Sequence, residues 1–131
     1  MMKHADAEKL IRRAIELAEE RNVVLSMAVC DDHGELIAFA KMDGVGLQTA
    51  PLARAKAYTA ARMRKSTQLL GDWAREKDKD ISNWVDPQIT GLGGGMPIMS
   101  DGVVIGGMGV SGLSPQEDEE IVVLSIESTM A

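Results

Sequence analysis

The residues most able to do chemistry lie in Gly91–Gly112, GLGGGMPIMSDGVVIGGMGVSG, and in the basic segment before it. Gly93, Gly94 and Gly95 are consecutive and Pro97 follows, while Gly106, Gly107, Gly109 and Gly112 interrupt good strand formers. Glycine is costly inside regular structure and useful where backbone must come close to something or take a positive φ. Such a stretch can offer bare N–H groups to an anion, a carboxylate or a phosphate. Lys56 or Arg54 could assist from a neighbouring helix.

Other chemistries lack their residues. There is no CxxC or HxxxH, and two histidines with one cysteine are too few for a zinc or iron cluster. Gly109–Gly112 does not have the nucleophile-elbow pattern, and no histidine is placed to serve Ser111 as a base. The glycine run is not followed by GK[ST], and no βαβ unit surrounds it, so neither phosphate-loop nor dinucleotide fingerprints apply.

These residues need elements to hold them. Ala7, Leu10, Ile11, Ala14, Ile15 and Ala18 fall on one helical stripe, predicting a helix over 6–21 with Asp6 as N-cap. Strands are predicted over 23–31 and 35–42, apolar on both faces and joined by the turn Asp31–Gly34. His33, in that turn, reads as an exposed and inert residue, not as a metal or haem ligand. Thr49 reads as the N-cap of a second helix running to about Lys65, with Pro51 in its first turn. Its Arg54, Lys56, Arg62, Arg64 and Lys65 are the only dense basic cluster. Lys56 and Thr59 are three apart and share a face, which spacing alone leaves as coincidence.

Ser66 or Thr67 restarts a helix to about Lys77 whose apolar side is Leu69, Leu70 and Trp73. A polar loop over 76–90 carries Trp84, read as a packing anchor or a subunit contact ahead of a lid. A hairpin turning at Ser100–Gly102 joins strands over 96–99 and 103–110. Ser114, Pro115 and Glu117 form a capping box that starts a last helix to about residue 129, against the β-like IVVLSI run. The order is helix, two strands, two helices, two or three strands, helix, and two hairpins interrupted by helices give an α+β, three-layer domain with an antiparallel sheet.

The totals agree with one domain. The chain has 131 residues, of which 45% are hydrophobic, 26% charged and 3% aromatic. The core must therefore come from aliphatic residues and nine methionines. A net charge of −6 argues against nucleic acid and anionic membranes as partners. No stretch is apolar enough to span a bilayer, and the N-terminus has no signal-peptide core. With Cys30 as the sole cysteine, a reducing cytoplasmic setting is expected.

Five strings occur together in family order: AVCDDHGELIAFAKMDG (28–44), KAYTAA (56–61), GGGMP (93–97), VIGGMGVSG (104–112) and QEDE (116–119). In these the chain resembles the GlcG/HbpS family of haem-binding-like domains, which includes the C-terminal domain of PduO-type adenosyltransferases. The resemblance covers nearly the whole chain, 1–131, as a single domain. Leu92 replaces the usual phenylalanine before the glycines, and Leu113 replaces the second glycine of GVSGG. The wording at 78–90 also differs, with Asn83-Trp84-Val85-Asp86 in place of the family's motif.

The resemblance implies a five-stranded antiparallel sheet between helix layers and homo-oligomeric assembly. It also implies haem or corrinoid binding in some members. It implies a pocket of Asp43, Lys56, Thr59, Gly93, Gly94, Gly95, Met96 and Pro97, with Asp118 at the start of the last helix.

Three functions follow. One is a homo-oligomeric small-ligand module holding haem or a related tetrapyrrole; no histidine matches a pocket position, so axial ligation would be unusual or weak. Another is a cofactor-free isomerase or lyase acting on a small carboxylate or carbonyl metabolite. There the glycine loop would hold an oxyanion, and Lys56 or Asp118 would be catalytic and move a proton. The third is an assembly whose glycines serve only close packing.

Overall fold

Apolar residues on both faces of Ser26–Asp31 (β1) place it inside a sheet in the computed structural model, which describes residues 1–130. The other elements are α1 (His4–Glu20), β2 (Leu36–Lys41), α2 (Thr49–Met63), α3 (Thr67–Glu76), β3 (Gly95–Ser100), β4 (Val103–Ser111) and α4 (Pro115–Thr129). A short 3-10 turn covers Ile81–Trp84. The sheet runs β2-β1-β4-β3, and every pairing is antiparallel.

The sheet has four strands, not the five that the family resemblance implied. The only long stretch outside helices and hairpins is 77–94, and local chemistry turns it away from a strand. Asp80 accepts from Ser82 N at 2.9 Å, starting the 3-10 turn, and Val85 closes it at φ 55. Pro87 then follows.

Helices cover both faces of the sheet. On one face α1 and α4 bury Leu10, Leu17, Ile121 and Val122 against Met27, Val29, Ile98, Met108 and Val110. On the other, Ala53, Ala57 and Ala61 of α2 meet Ala28 and Cys30 of β1. Here the small residues decide the geometry. A Cβ on Gly109 would overlap Ala53 O and lie 2.8 Å from Lys56 Cβ, and one on Gly107 would overlap Ala57 O. Glycine on β4 therefore lets the α2 backbone approach the sheet directly. Cys30 Sγ donates to Ala57 O at 3.3 Å, and burial pushes its thiol up to about 12, so it holds no reactive thiolate.

Several local expectations shift. The strand over 35–42 was read as buried on both faces, yet β2 is an edge strand with Leu36 and Phe39 exposed. A bulge leaves Ile37 outside its register with β1. Asp6 lies inside the first turn of α1, which begins two residues earlier. Gln48, not Thr49, occupies the N-cap position of α2, and Arg64 ends that helix in a left-handed conformation. Leu70 is the buried anchor of α3, whereas Leu69 and Trp73 are exposed. Trp84 packs edge-to-face on Trp73 with centroids 5.5 Å apart. The hairpin turn at Asp101-Gly102, with φ of 50° and 76°, and the Ser114–Glu117 capping box form as the sequence predicts.

Candidate functional site

Lys56 and Asp118 meet in the interior. Alanines around Lys56 sink α2 against β4, which carries its side chain behind the sheet end. The capping box fixes the first turn of α4, which brings Asp118 to the same place. Lys56 Nζ donates to Asp118 Oδ2 at 3.1 Å and to Val110 O at 2.9 Å. Asp118 Oδ1 accepts from Leu113 N at 3.0 Å. Both side chains are only 2% exposed. Burial pushes the Lys56 ammonium down and the Asp118 carboxyl up, toward their neutral forms, and the charge of each partner restrains the other.

The glycine loop closes over this pair. A Cβ on Gly94 would lie 2.8 Å from Lys56 Nζ and from Val110 O, and 2.9 Å from Asp118 Cβ. Gly95 N donates to Thr67 Oγ1 at 3.0 Å, so that N–H is already used. Gly93 is buried against Gln68 and Pro115. The structure thus brings Lys56, Asp118, Gly94 and Gly95 together, with Gly93 beside them.

The other residues implied by the resemblance lie elsewhere. Met96 and Pro97 line a shallow cavity of about 510 Å³ with Arg64, Lys65, Gln68 and Glu119. Thr59 Oγ1 donates to Gln88 O at 3.1 Å and accepts from Thr90 N at 3.0 Å, tying the 86–90 loop to α2. Asp43 is exposed in the turn after β2.

A cavity of about 840 Å³ is lined in part by that loop. Its walls are the β1–β2 turn (His33–Leu36), the outer face of α2 (Pro51, Leu52, Arg54, Tyr58, Arg62) and Pro87–Thr90. That volume lies within the ~300–1,000 Å³ range of small-ligand sites. Tyr58 joins the three walls: a Cβ on Gly34 would strike its ring, Arg62 lies over the ring at 5.2 Å, and its hydroxyl donates to Asp86 Oδ2 at 2.6 Å.

The sequence reading did not single out this groove. A usable signal was present in Arg54, Tyr58 and Arg62, spaced four apart along one helix. The turn and the 86–90 loop that complete it are distant in sequence.

The Tyr58–Asp86 bond has a pH signature. The bond to Asp86 raises the phenol above its ordinary value, with partial burial adding to it and Arg62 opposing. Its stabilising effect is therefore complete below the ordinary tyrosine range, about pH 10. It is lost as pH rises through the higher folded value. Tyr58 is the chain's single tyrosine, so phenolate absorbance in an alkaline titration reads it alone. A folded midpoint above that of the urea-unfolded chain is expected; an equal or lower midpoint would refute the bond.

Fold and site define a class: an antiparallel sheet between helix layers, with a sealed ion pair behind a glycine loop and an open groove over α2. The sequence model of the family described as haem degrading protein HbpS-like matches residues 2–127, and the chain belongs to that family. It is 35% identical over 105 residues to protein GlcG of Escherichia coli K12, covering 80% of this chain and 77% of GlcG. It is 30% identical over 123 residues to the corrinoid adenosyltransferase PduO of Salmonella typhimurium LT2. That match covers 92% of this chain but 37% of PduO, so the chain spans little more than a third of that relative. Among solved structures, a PduOC–haem complex superposes with a TM-score of 0.89 at 28% identity, over 97% of this chain and 94% of the other. No helix among the described residues is long and apolar enough to cross a membrane.

Proposed function

We propose that this chain is a homo-oligomeric small-ligand-binding module whose ligand is haem or a related tetrapyrrole. The observation that carries the reading is the groove over α2, in a chain similar along its length to a protein seen in complex with haem. The residues present fit such a group. His33 stands at the rim with its side chain 78% exposed, nearest to Asp32 at 4.0 Å. Leu36, Pro51, Leu52 and Ile89 supply apolar wall. His33 would hold the iron through a ring nitrogen, and the apolar wall would exclude water from the macrocycle face. Bound haem supplies an iron with an axial position that imidazole fills.

The exposure of His33 agrees with the sequence reading, but the iron-holding role reverses the reading of it as inert and not a haem ligand, on the ground that it lines the groove. The single reduced thiol of Cys30 suits a reducing, cytoplasmic setting.

The alternative, proton transfer on a small carbonyl compound, asks Lys56 or Asp118 to meet a substrate. Each is 2% exposed and held by the other, with Gly94 packed over both. The binding reading is therefore the better supported.

Haemin titration of the purified chain, followed by absorbance, tests it. A saturable Soret shift is expected at one haem per subunit or per dimer, on a particle whose light-scattering mass is a multiple of 14.1 kDa. His33→Ala should alter the spectrum and weaken binding about tenfold, while His4→Ala, on α1 away from the groove, should change neither. Non-saturable association, or equal binding by both variants, would sink the reading.

A further inference from the structure

We infer that the groove selects ligands carrying two acidic groups, received at its two ends by Arg54 and Arg62. The inference rests on the small-ligand reading above and names what that site recognises.

Arg54, Tyr58 and Arg62 recur every four residues on α2, so they form one row over two helical turns, about 12 Å along the axis. All three line the cavity. Each guanidinium is seated on an aromatic ring, Arg54 over Phe39 at 5.9 Å and Arg62 over Tyr58 at 5.2 Å. A ring beneath the cation restrains it without using its N–H groups.

Neither arginine has an ion-pair partner among the described residues, although the chain carries a net charge of −6. Arg62 donates one bond, to His33 O at 3.2 Å, and Arg54 donates none to the described residues. The nearby acids do not neutralise them. Asp86 accepts from Tyr58 Oη and Gln88 N, and Glu35 lies exposed on the rim.

Two unneutralised guanidinium forks facing one concavity are built to take carboxylates, which they bind in bidentate fashion. Tyr58 stands between them in the row, and Pro51 and Leu52 before Arg54 add apolar wall for the body of the same ligand. A mono-acid would answer one arginine, and a neutral ester would answer neither.

The test is calorimetric titration of the full chain with four probes: protoporphyrin, its dimethyl ester, naphthalene dicarboxylate and naphthoate. The diacids should bind about tenfold or more tightly than the ester and the mono-acid. Arg54→Gln and Arg62→Gln should each remove about that factor for the diacids alone, and Arg54→Lys should recover part of it. Because Arg54 makes no side-chain hydrogen bond among the described residues, its variants carry the test even where Arg62→Gln loosens the His33 turn. Equal binding of acid and ester, undiminished binding by the glutamine variants, or no binding of any probe would overturn the inference. Arginine-dependent diacid binding without a His33-dependent haemin spectrum would uphold it and remove haem as the ligand. The reverse result would keep haem binding and reject the arginine clamp.

Discussion

Lys56→Met is expected to lower the unfolding free energy by about 3–5 kcal/mol, a large part of the ~5–15 kcal/mol of an ordinary domain. The substitution keeps the side chain's length and removes its charge. The Asp118 carboxylate then stays buried with Leu113 N as its hydrogen-bond donor, and Val110 O loses the Lys56 ammonium. Urea unfolding followed by circular dichroism measures the loss. Asp118→Asn completes a double-mutant cycle. The double variant should lose less than the sum of the singles, because both remove one shared interaction. A single loss under about 1 kcal/mol, or strict additivity, would mean that the pair does not tie α2 to α4. The sequence analysis gave Lys56 a place in a ligand pocket or the moving of a proton. Burial of the ammonium moves the expected effect to stability.

Gly94→Ala should cost about 2–5 kcal/mol, combining backbone strain with overpacking. Gly94 has φ +123, where an L side chain is strained. Its new Cβ would also press on Lys56 Nζ, Val110 O and Asp118 Cβ, all within 2.9 Å. Lysine can shift its end only by lengthening its bonds to Val110 O and Asp118. The strand carbonyl and the Asp118 Cβ are held by β4 and by the capped first turn of α4. Gly44→Ala provides the reference, since Gly44 also has a positive φ (+84) but nothing within 4 Å of an added Cβ. The gap between the two variants in the same urea experiment isolates the crowding over the ion pair. Gly94→Ala no worse than Gly44→Ala would show that the loop does not press on the pair.

Local signals accounted for much of the fold. The Ser114 capping box correctly overrode the β-like run at 121–126, because a satisfied helix start with Pro115 at N1 commits the chain before that run begins. Asp101-Gly102 marked its hairpin, since only residues tolerant of positive φ fit a two-residue turn. The stripe of α1 placed Ala7, Leu10, Ile11, Ala14 and Ala18 on the buried face, but Leu17 is buried where Ile15 was expected, and the helix starts earlier. The errors fell where neighbours decide. Whether β2 is central or on an edge depends on which strand lies beside it, and LIAFAK carries no record of that. A fifth strand was left open by the element order and made definite by the family resemblance, and the chain does not form it among the described residues.

The candidate site divides in the same way. Lys56 and the triple glycine were legible as residue types worth attention, because a lysine among alanines and bare backbone are unusual, while Asp118 entered through the family resemblance. Their mutual bond was not legible, since 62 residues separate the two charges. By itself the sequence determined the elements, one small-residue helix, a glycine-lined strand and a row of cation, phenol and cation. These follow from interactions within a few residues of one another. Only the tertiary structure decided that Lys56 is sealed while Arg54 and Arg62 face a groove. The reason is rotation about one helix: the face of α2 that meets Gly107 and Gly109 is closed to solvent, and the face a third of a turn away is not.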